Sequence, residues 1–206
     1  MGLCWVENVF YFRQVSSQVS IAPRQGLNSR QAETVERLLA AGEEELRAVG
    51  HEALTIRTVA TRAGVSPATA YTYLASKNHL YAELFLRFLV EDRDFPPRGR
   101  TPVRRVQSVT RRLSERLAAA PALAAAVTPA LLGSDADVER LRLRIGAEFI
   151  DLFRGALGAD ADPHVLDALV LALSGALLQA GVGLITYADL TTRLDAVVDV
   201  IMRGNQ

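Results

Sequence analysis

The chain has 206 residues, half of them apolar, with 23 basic and 23 acidic side chains and one cysteine. That length has room for one ordinary domain, or a small one joined to a larger one, with a sizeable core, which excludes wholesale disorder. The charge balance excludes a whole-molecule field that would draw the chain to nucleic acid or an anionic membrane, so any basic surface must be local.

The first 28 residues read as an arm. MGLCWVENVFYFRQV is apolar but is interrupted by Glu7 and has no basic lead, so no signal peptide is expected. A lone Cys4 excludes an internal disulfide and a cysteine-only zinc cluster, and fits a reducing, cytoplasmic setting.

From residue 29 onward the apolar positions recur with a period of 3.6, which predicts an all-α protein. The first helix runs from Ser29 or Arg30 to Val49. It carries Val35, Leu38, Gly42, Leu46 and Val49 inward and Glu33, Glu36, Glu43, Glu44 and Glu45 mostly outward, with Gly50 as its stop. Thr55 caps a short second helix, in which Ile56, Val59, Ala60 and Ala63 share a face, and Gly64 ends it. Val65 plugs the turn, Ser66 caps a third helix and Pro67 takes its first position, where a missing N–H costs nothing. A fourth helix starts near Ser76 and runs through Leu80, Leu84 and Phe88 toward Glu91. Asp94 to Arg100, DFPPRGR, breaks it and marks a domain boundary. Further helices are expected at 102–120, 121–132, 136–157, 163–185 and 189–203. The domains are thus residues 29–88 and residues 100–206, after the arm of residues 1–28.

Two short helices joined by a glycine turn, the second with a small leading edge, form a helix-turn-helix. Pro67, Ala68 and Thr69 are short enough to let a backbone approach base edges in a major groove, and Thr69 can touch a thymine methyl or a base edge. Tyr71 and Tyr73 lie about 200° apart around the helix and are placed to straddle a groove. Lys77 starts the next helix, where its charge and the helix N-terminus both suit a phosphate, and Arg57 is a further phosphate candidate. Residues 24–85 hold seven cations (Arg24, Arg30, Arg37, Arg47, Arg57, Arg62, Lys77) against seven acids (Glu33, Glu36, Glu43, Glu44, Glu45, Glu52, Glu83). Binding here must therefore rely on where the cations stand, not on their number.

The span from Leu38 to Phe85 resembles the tetracycline-repressor (TetR) family of one-component regulators. The resemblance rests on LLAAG, on T-I-R-T-V-A from Thr55, on A-G-V-S from Ala63, and on T-A-Y-T-Y-L followed by S-K-N-H-L. Ala70 in place of a larger aliphatic, Leu74 in place of phenylalanine and Glu45 in a usually apolar place depart from the pattern. The resemblance implies an N-terminal three-helix DNA-binding domain and a homodimer on two-fold, double-stranded operator DNA. It also implies a C-terminal helical domain that binds a small molecule and dimerises.

In that half, Ala168 to Ile185 is uncharged and near the lower length for a membrane span, but Ser174, Gln179 and three glycines favour a buried bundle helix, and no membrane association is expected. Gly175, Ala176, Gly181 and Gly183 permit close helix approach, so this helix and the last one are the candidate dimer interface. Leu117, Leu131, Leu132, Ile145, Phe149, Phe153, Leu173 and Leu177 are candidate liners of an apolar cavity, with Ser174 and Gln179 as isolated polar groups. Such a lining suits a lipid, a sterol, an acyl thioester or a hydrophobic drug. LAAAVTPALLGSDADVERL and ADLTTRLDAVVDVIM also resemble, faintly, the ligand domains of TetR-type regulators of sterol and lipid catabolism that respond to acyl-CoA thioesters.

No enzyme is expected. His51, His79 and His164 fall in unrelated segments, and no nucleophile triad, phosphate loop or metalloprotease motif is present. Asp160, Asp162 and His164 are read as a helix cap and not as a metal site, and His79 with Glu83 as a surface pair; no cofactor is expected. The reading is a ligand-released repressor. An activator with the same domain, or a small-molecule binding protein whose helix-turn-helix is vestigial, are the rivals.

Overall fold

The computed structural model describes residues 28–203, so the expectations for the arm, Asn28 apart, lie outside the described residues. The helices are α1 (Ser29–Ala53), α2 (Ile56–Arg62), α3 (Pro67–Tyr73), α4 (Lys77–Val90), α5 (Pro102–Ala118), α6 (Pro121–Leu132), α7 (Ala136–Leu157), α8 (Pro163–Gly181) and α9 (Tyr187–Arg203). No strand occurs among the described residues, and the fold is all-α.

Side chains start most of these helices by accepting backbone N–H groups that have no partner inside the helix. Asn28, Thr55, Ser66, Ser76, Thr101, Asp135 and Asp162 each do so. Asp162 accepts from the His164 N–H at 2.7 Å, with Pro163 in the first turn. Gly50, at φ 75°, interrupts α1 where its stop is expected, and one more turn follows it. α8 ends at Gly181, short of the expected 185, and a turn through Gly183 at φ 79° leads into α9.

Two cores form. The first gathers Val35, Leu38 and Leu46 of α1, Ile56, Val59 and Ala60 of α2, Ala70 of α3, and Leu80, Tyr81 and Leu84 of α4, with Ala126 and Ala130 of α6 against them. The second joins Ala82, Phe85 and Leu86 of α4 to the helices from α5 to α9. α4 thus belongs to both, buried at every residue from Tyr81 to Leu86. Leu80 seats against Gly42, whose absent Cβ would lie 2.8 Å from the leucine Cδ1. Leu38, Leu54 and Leu80 are fully buried, each contributing about 1.5–3 kcal/mol of transfer free energy.

Several expectations change. Val49 is exposed, next to the break at Gly50. Glu45 is buried: its carboxylate accepts from Arg62 Nε at 2.8 Å and pairs with Nη2 at 2.7 Å, tying α1 to α2. That guanidinium holds the Glu45 carboxyl below its ordinary range. His79 and Glu83 are not a surface pair; both side chains are largely buried, with Nε2 3.6 Å from Oε1, while Nδ1 accepts from the Ala75 N–H. Val65 is only half-buried, packed against the first core.

α8 is not buried on all sides either. By length and composition it passes for a membrane span, yet Val165, Leu169 and Leu173 face the core while Leu171, Leu178 and Val182 are exposed. Its close approach at Gly181 is made inside the protomer, to α6: a Cβ there would lie 1.8 Å from Thr128 Oγ1 and 2.4 Å from its Cβ. Helix propensity alone would make Gly181→Ala stabilising by up to about 1 kcal/mol. Overpacking outweighs that, and urea unfolding should show a net loss of about 1–3 kcal/mol.

Candidate nucleic-acid interface and apolar cavity

The turn between α2 and α3 is built by the backbone. Gly64 adopts φ 67°, and the Val65 N–H donates to the Ala60 carbonyl at 3.0 Å, folding the chain back on α2. Ser66 then accepts from the Thr69 N–H at 3.1 Å, and the two hydroxyls lie 2.8 Å apart. Ala70 and Leu74, two of the three departures from the family pattern, are buried at the base of α3. Burial of that face turns the other outward: Pro67, Ala68, Tyr71 and Thr72 are exposed and Thr69 is half-buried.

The two tyrosines differ. Tyr71 is 50% exposed, whereas Tyr73 is half-buried and packs against the first core. The half-buried Thr69 already has the Ser66 hydroxyl as partner for its own. Arg57, in the first turn of α2, and Lys77, the first residue of α4, are exposed with no ion-pair partner among the described residues. Arg62 and Arg47 are committed instead to the acids of α1, at Glu45 and Glu43. Two cations without an acid partner among the described residues thus stand before and after α3 in the chain, Arg57 in α2 and Lys77 at the start of α4.

Between α3 and α4, Ser76 does two jobs. Its oxygen accepts from the His79 N–H at 3.0 Å, capping α4, and its hydroxyl donates to Asp135 Oδ2 at 2.5 Å. The other oxygen of Asp135 accepts from the Asp137 N–H at 2.9 Å and caps α7. One carboxylate thus clasps the start of α4 to the start of α7, and the Ser76 hydroxyl is the main reason its carboxyl lies below the ordinary range.

A cavity of about 340 Å³ lies among α4 to α9. Of the residues expected to line it, Leu117, Leu131, Leu132, Ile145, Phe149, Ser174 and Leu177 do so. Phe153 and Leu173 do not: both are 1% exposed and pack within the second core, Phe153 one turn beyond the liner Phe149 and Leu173 one turn before the liner Leu177. Gln179 is exposed elsewhere. Sequence reasoning missed Phe85, Thr128, Arg142 and Tyr187 in the wall. The signal for Arg142 was there, a cation on the stripe Val138, Arg142, Ile145, Phe149. Phe85 meets Phe149 edge-on, with centroids 6.5 Å apart. No group of three or more metal-ligating side chains occurs among the described residues.

Residues 38–84 match the model of bacterial regulatory proteins of the tetR family, and residues 99–201 that of the tetracyclin repressor-like C-terminal domain. The chain is 44% identical over 184 residues to an uncharacterised HTH-type transcriptional regulator of Mycobacterium tuberculosis, covering 86% of this chain and 84% of that one. It is 30% identical over 161 residues to the HTH-type transcriptional repressor KstR of Rhodococcus jostii, covering 74% and 75%. Among solved structures, FadR of Thermus thermophilus, a TetR-family repressor crystallised with lauroyl-CoA, superposes with a TM-score of 0.62 at 23% identity, over 83% of this chain and 94% of that one. An exposed, cation-flanked helix-turn-helix on a helical body and two family matches spanning both halves have one meaning: the chain belongs to the tetR family of DNA-binding transcriptional regulators.

Proposed function

We propose that the protein is a homodimeric repressor that releases its operator when an apolar small molecule fills the cavity. The observation that carries this reading is the double attachment of α4. The helix begins with the exposed Lys77, four residues after the end of α3, and, two turns on, presents Phe85 to the cavity. A ligand that displaces Phe85 acts on the same rigid rod that sets the position of Lys77.

Pro67, Ala68 and Thr69 enter the major groove, and Arg57, Tyr71 and Lys77 hold phosphates. Tyr73 steadies α3 from within. The apolar outer face of α8 and α9, with Leu171 and Val200 each 65% exposed, is what a second copy covers to form a four-helix interface. The two copies of α3 then reach successive major grooves about 34–36 Å apart. Action on the chromosome puts the protein in the cytoplasm. KstR, at 30% identity, is named a repressor, which supports repression here. An effector must favour the DNA-incompetent state by about 1–3 kcal/mol.

Gel-shift titration on the DNA upstream of the gene checks the interface. Tyr71→Phe and Lys77→Ala should weaken binding to every sequence tested, and Lys77→Ala should lower the salt slope by about 1; unchanged affinity in both removes the phosphate assignments. Thr69→Ala should shift base preference at one half-site position by about 1–3 kcal/mol, read by sequence selection.

A double-mutant cycle of Ser76→Ala and Asp135→Ala should give a coupling energy of about 1–3 kcal/mol, since the bond is to a charged acceptor. Because the folded Asp135 carboxyl lies below its unfolded value, that stabilisation is full above the ordinary carboxylate range, about 3.9, and is lost as pH falls through the depressed folded value. A coupling that does not shrink in acid contradicts the clasp.

A further inference from the structure

The wall of the cavity is hydrocarbon apart from a few groups, and one of them carries a charge. Arg142 stands on α7 among the liners, half-buried. Its Nη1 donates to the Leu131 carbonyl at 2.8 Å and to the Gly133 carbonyl at 2.7 Å, closing the C-terminal end of α6. Those bonds use one nitrogen. The N–H groups of Nε and Nη2, which together make a bidentate fork, have no partner among the described residues. On the same helix Arg140 holds Asp137 at 2.6 Å and Arg154 holds Asp151 at 2.8 Å, whereas no carboxylate reaches Arg142 among the described residues.

A cation on the edge of an apolar cavity has lost part of its hydration and gained no counter-charge, an unfavourable arrangement that an anion entering the cavity corrects. Two carbonyls are weak compensation, since each carries only a dipole. The other polar liners are neutral: Tyr187 donates its hydroxyl to the Ala124 carbonyl at 3.0 Å, and Thr128 and Ser174 are single hydroxyls.

We infer that the effector is an amphiphile whose apolar chain fills the cavity and whose anionic head, a carboxylate or a phosphate, is taken by the Nε and Nη2 fork of Arg142. This rests on the proposed apolar effector site and specifies its ligand class. A volume of about 340 Å³ accommodates on the order of ten methylene groups, at about 30 Å³ for a group the size of a water molecule. The head sits beside the α6–α7 turn, two residues from Asp135 and its clasp on Ser76. Charge recognition and the start of α4 are thereby joined by one short stretch of chain.

The test is isothermal titration of the full chain with three probes of equal chain length, namely laurate, dodecyl phosphate and 1-dodecanol. The unaltered protein should bind at least one of the two anions about tenfold or more tighter than the alcohol, as a charge-assisted bidentate contact provides. Whichever anion binds tighter identifies the head as carboxylate or phosphate. In Arg142→Gln the anion should fall to the level of dodecanol while dodecanol itself stays within about twofold, and Arg142→Lys should keep part of the preference. The comparison within the unaltered chain needs no variant to fold. Equal or tighter binding of dodecanol overturns the assignment of Arg142 and leaves the apolar site standing, whereas binding by none of the three overturns both.

Discussion

Helix α4 has no free side between Tyr81 and Leu86, and everything else follows from that packing. Leu80, Tyr81 and Leu84 complete the core under the helix-turn-helix, and Ala82, Phe85 and Leu86 complete the core of the larger domain. Interiors packed at crystal density do not deform gradually, so a helix wedged between two of them moves as a body or stays put. The Tyr81 hydroxyl donates to the His51 carbonyl at 2.7 Å, fixing the same helix to the end of α1, and burial pushes that phenol up to about 12. It therefore stays protonated and donating throughout the physiological range.

Charge is distributed with a similar economy. The chain has no net charge to draw it to DNA, and three arginines of α1 to α4 are tied to acids, Arg62 to Glu45, Arg47 to Glu43 and Arg87 to Glu36. Arg57 and Lys77, like Arg30 and Arg37, have no acid partner among the described residues. In the proposed repressor, attraction comes from placed cations rather than from a basic field, which favours a fixed pose over loose, sequence-blind adhesion.

The helices and most of their starts were legible because they are local. Thr55, Ser66 and Asp162 act on backbone atoms two or three residues away, and Gly50 and Gly64 take positive φ where the pattern stops. What could not be read involves partners far apart in the chain. Glu45 looked solvated because Arg62, on another helix, supplies its counter-charge. Gly181 looked like a contact for a second copy, but its neighbour is Thr128 of α6. Phe153 and Leu173 carry the right chemistry for a cavity wall and miss it by one turn, beyond Phe149 and before Leu177, and periodicity does not fix how far along a helix a cavity extends. Asp135 was visible only as part of a loop, and its reach to Ser76, 59 residues away, has no signature in either segment.

If α4 couples the cavity to the DNA-facing edge, linkage requires that each ligand weaken the other by the same factor. The direct measurement is the affinity of a fluorescent long-chain probe for the protein alone and for its complex with the DNA upstream of its own gene. The account predicts an affinity at least about fivefold lower in the complex; equal affinity in the two would mean that nothing passes along α4.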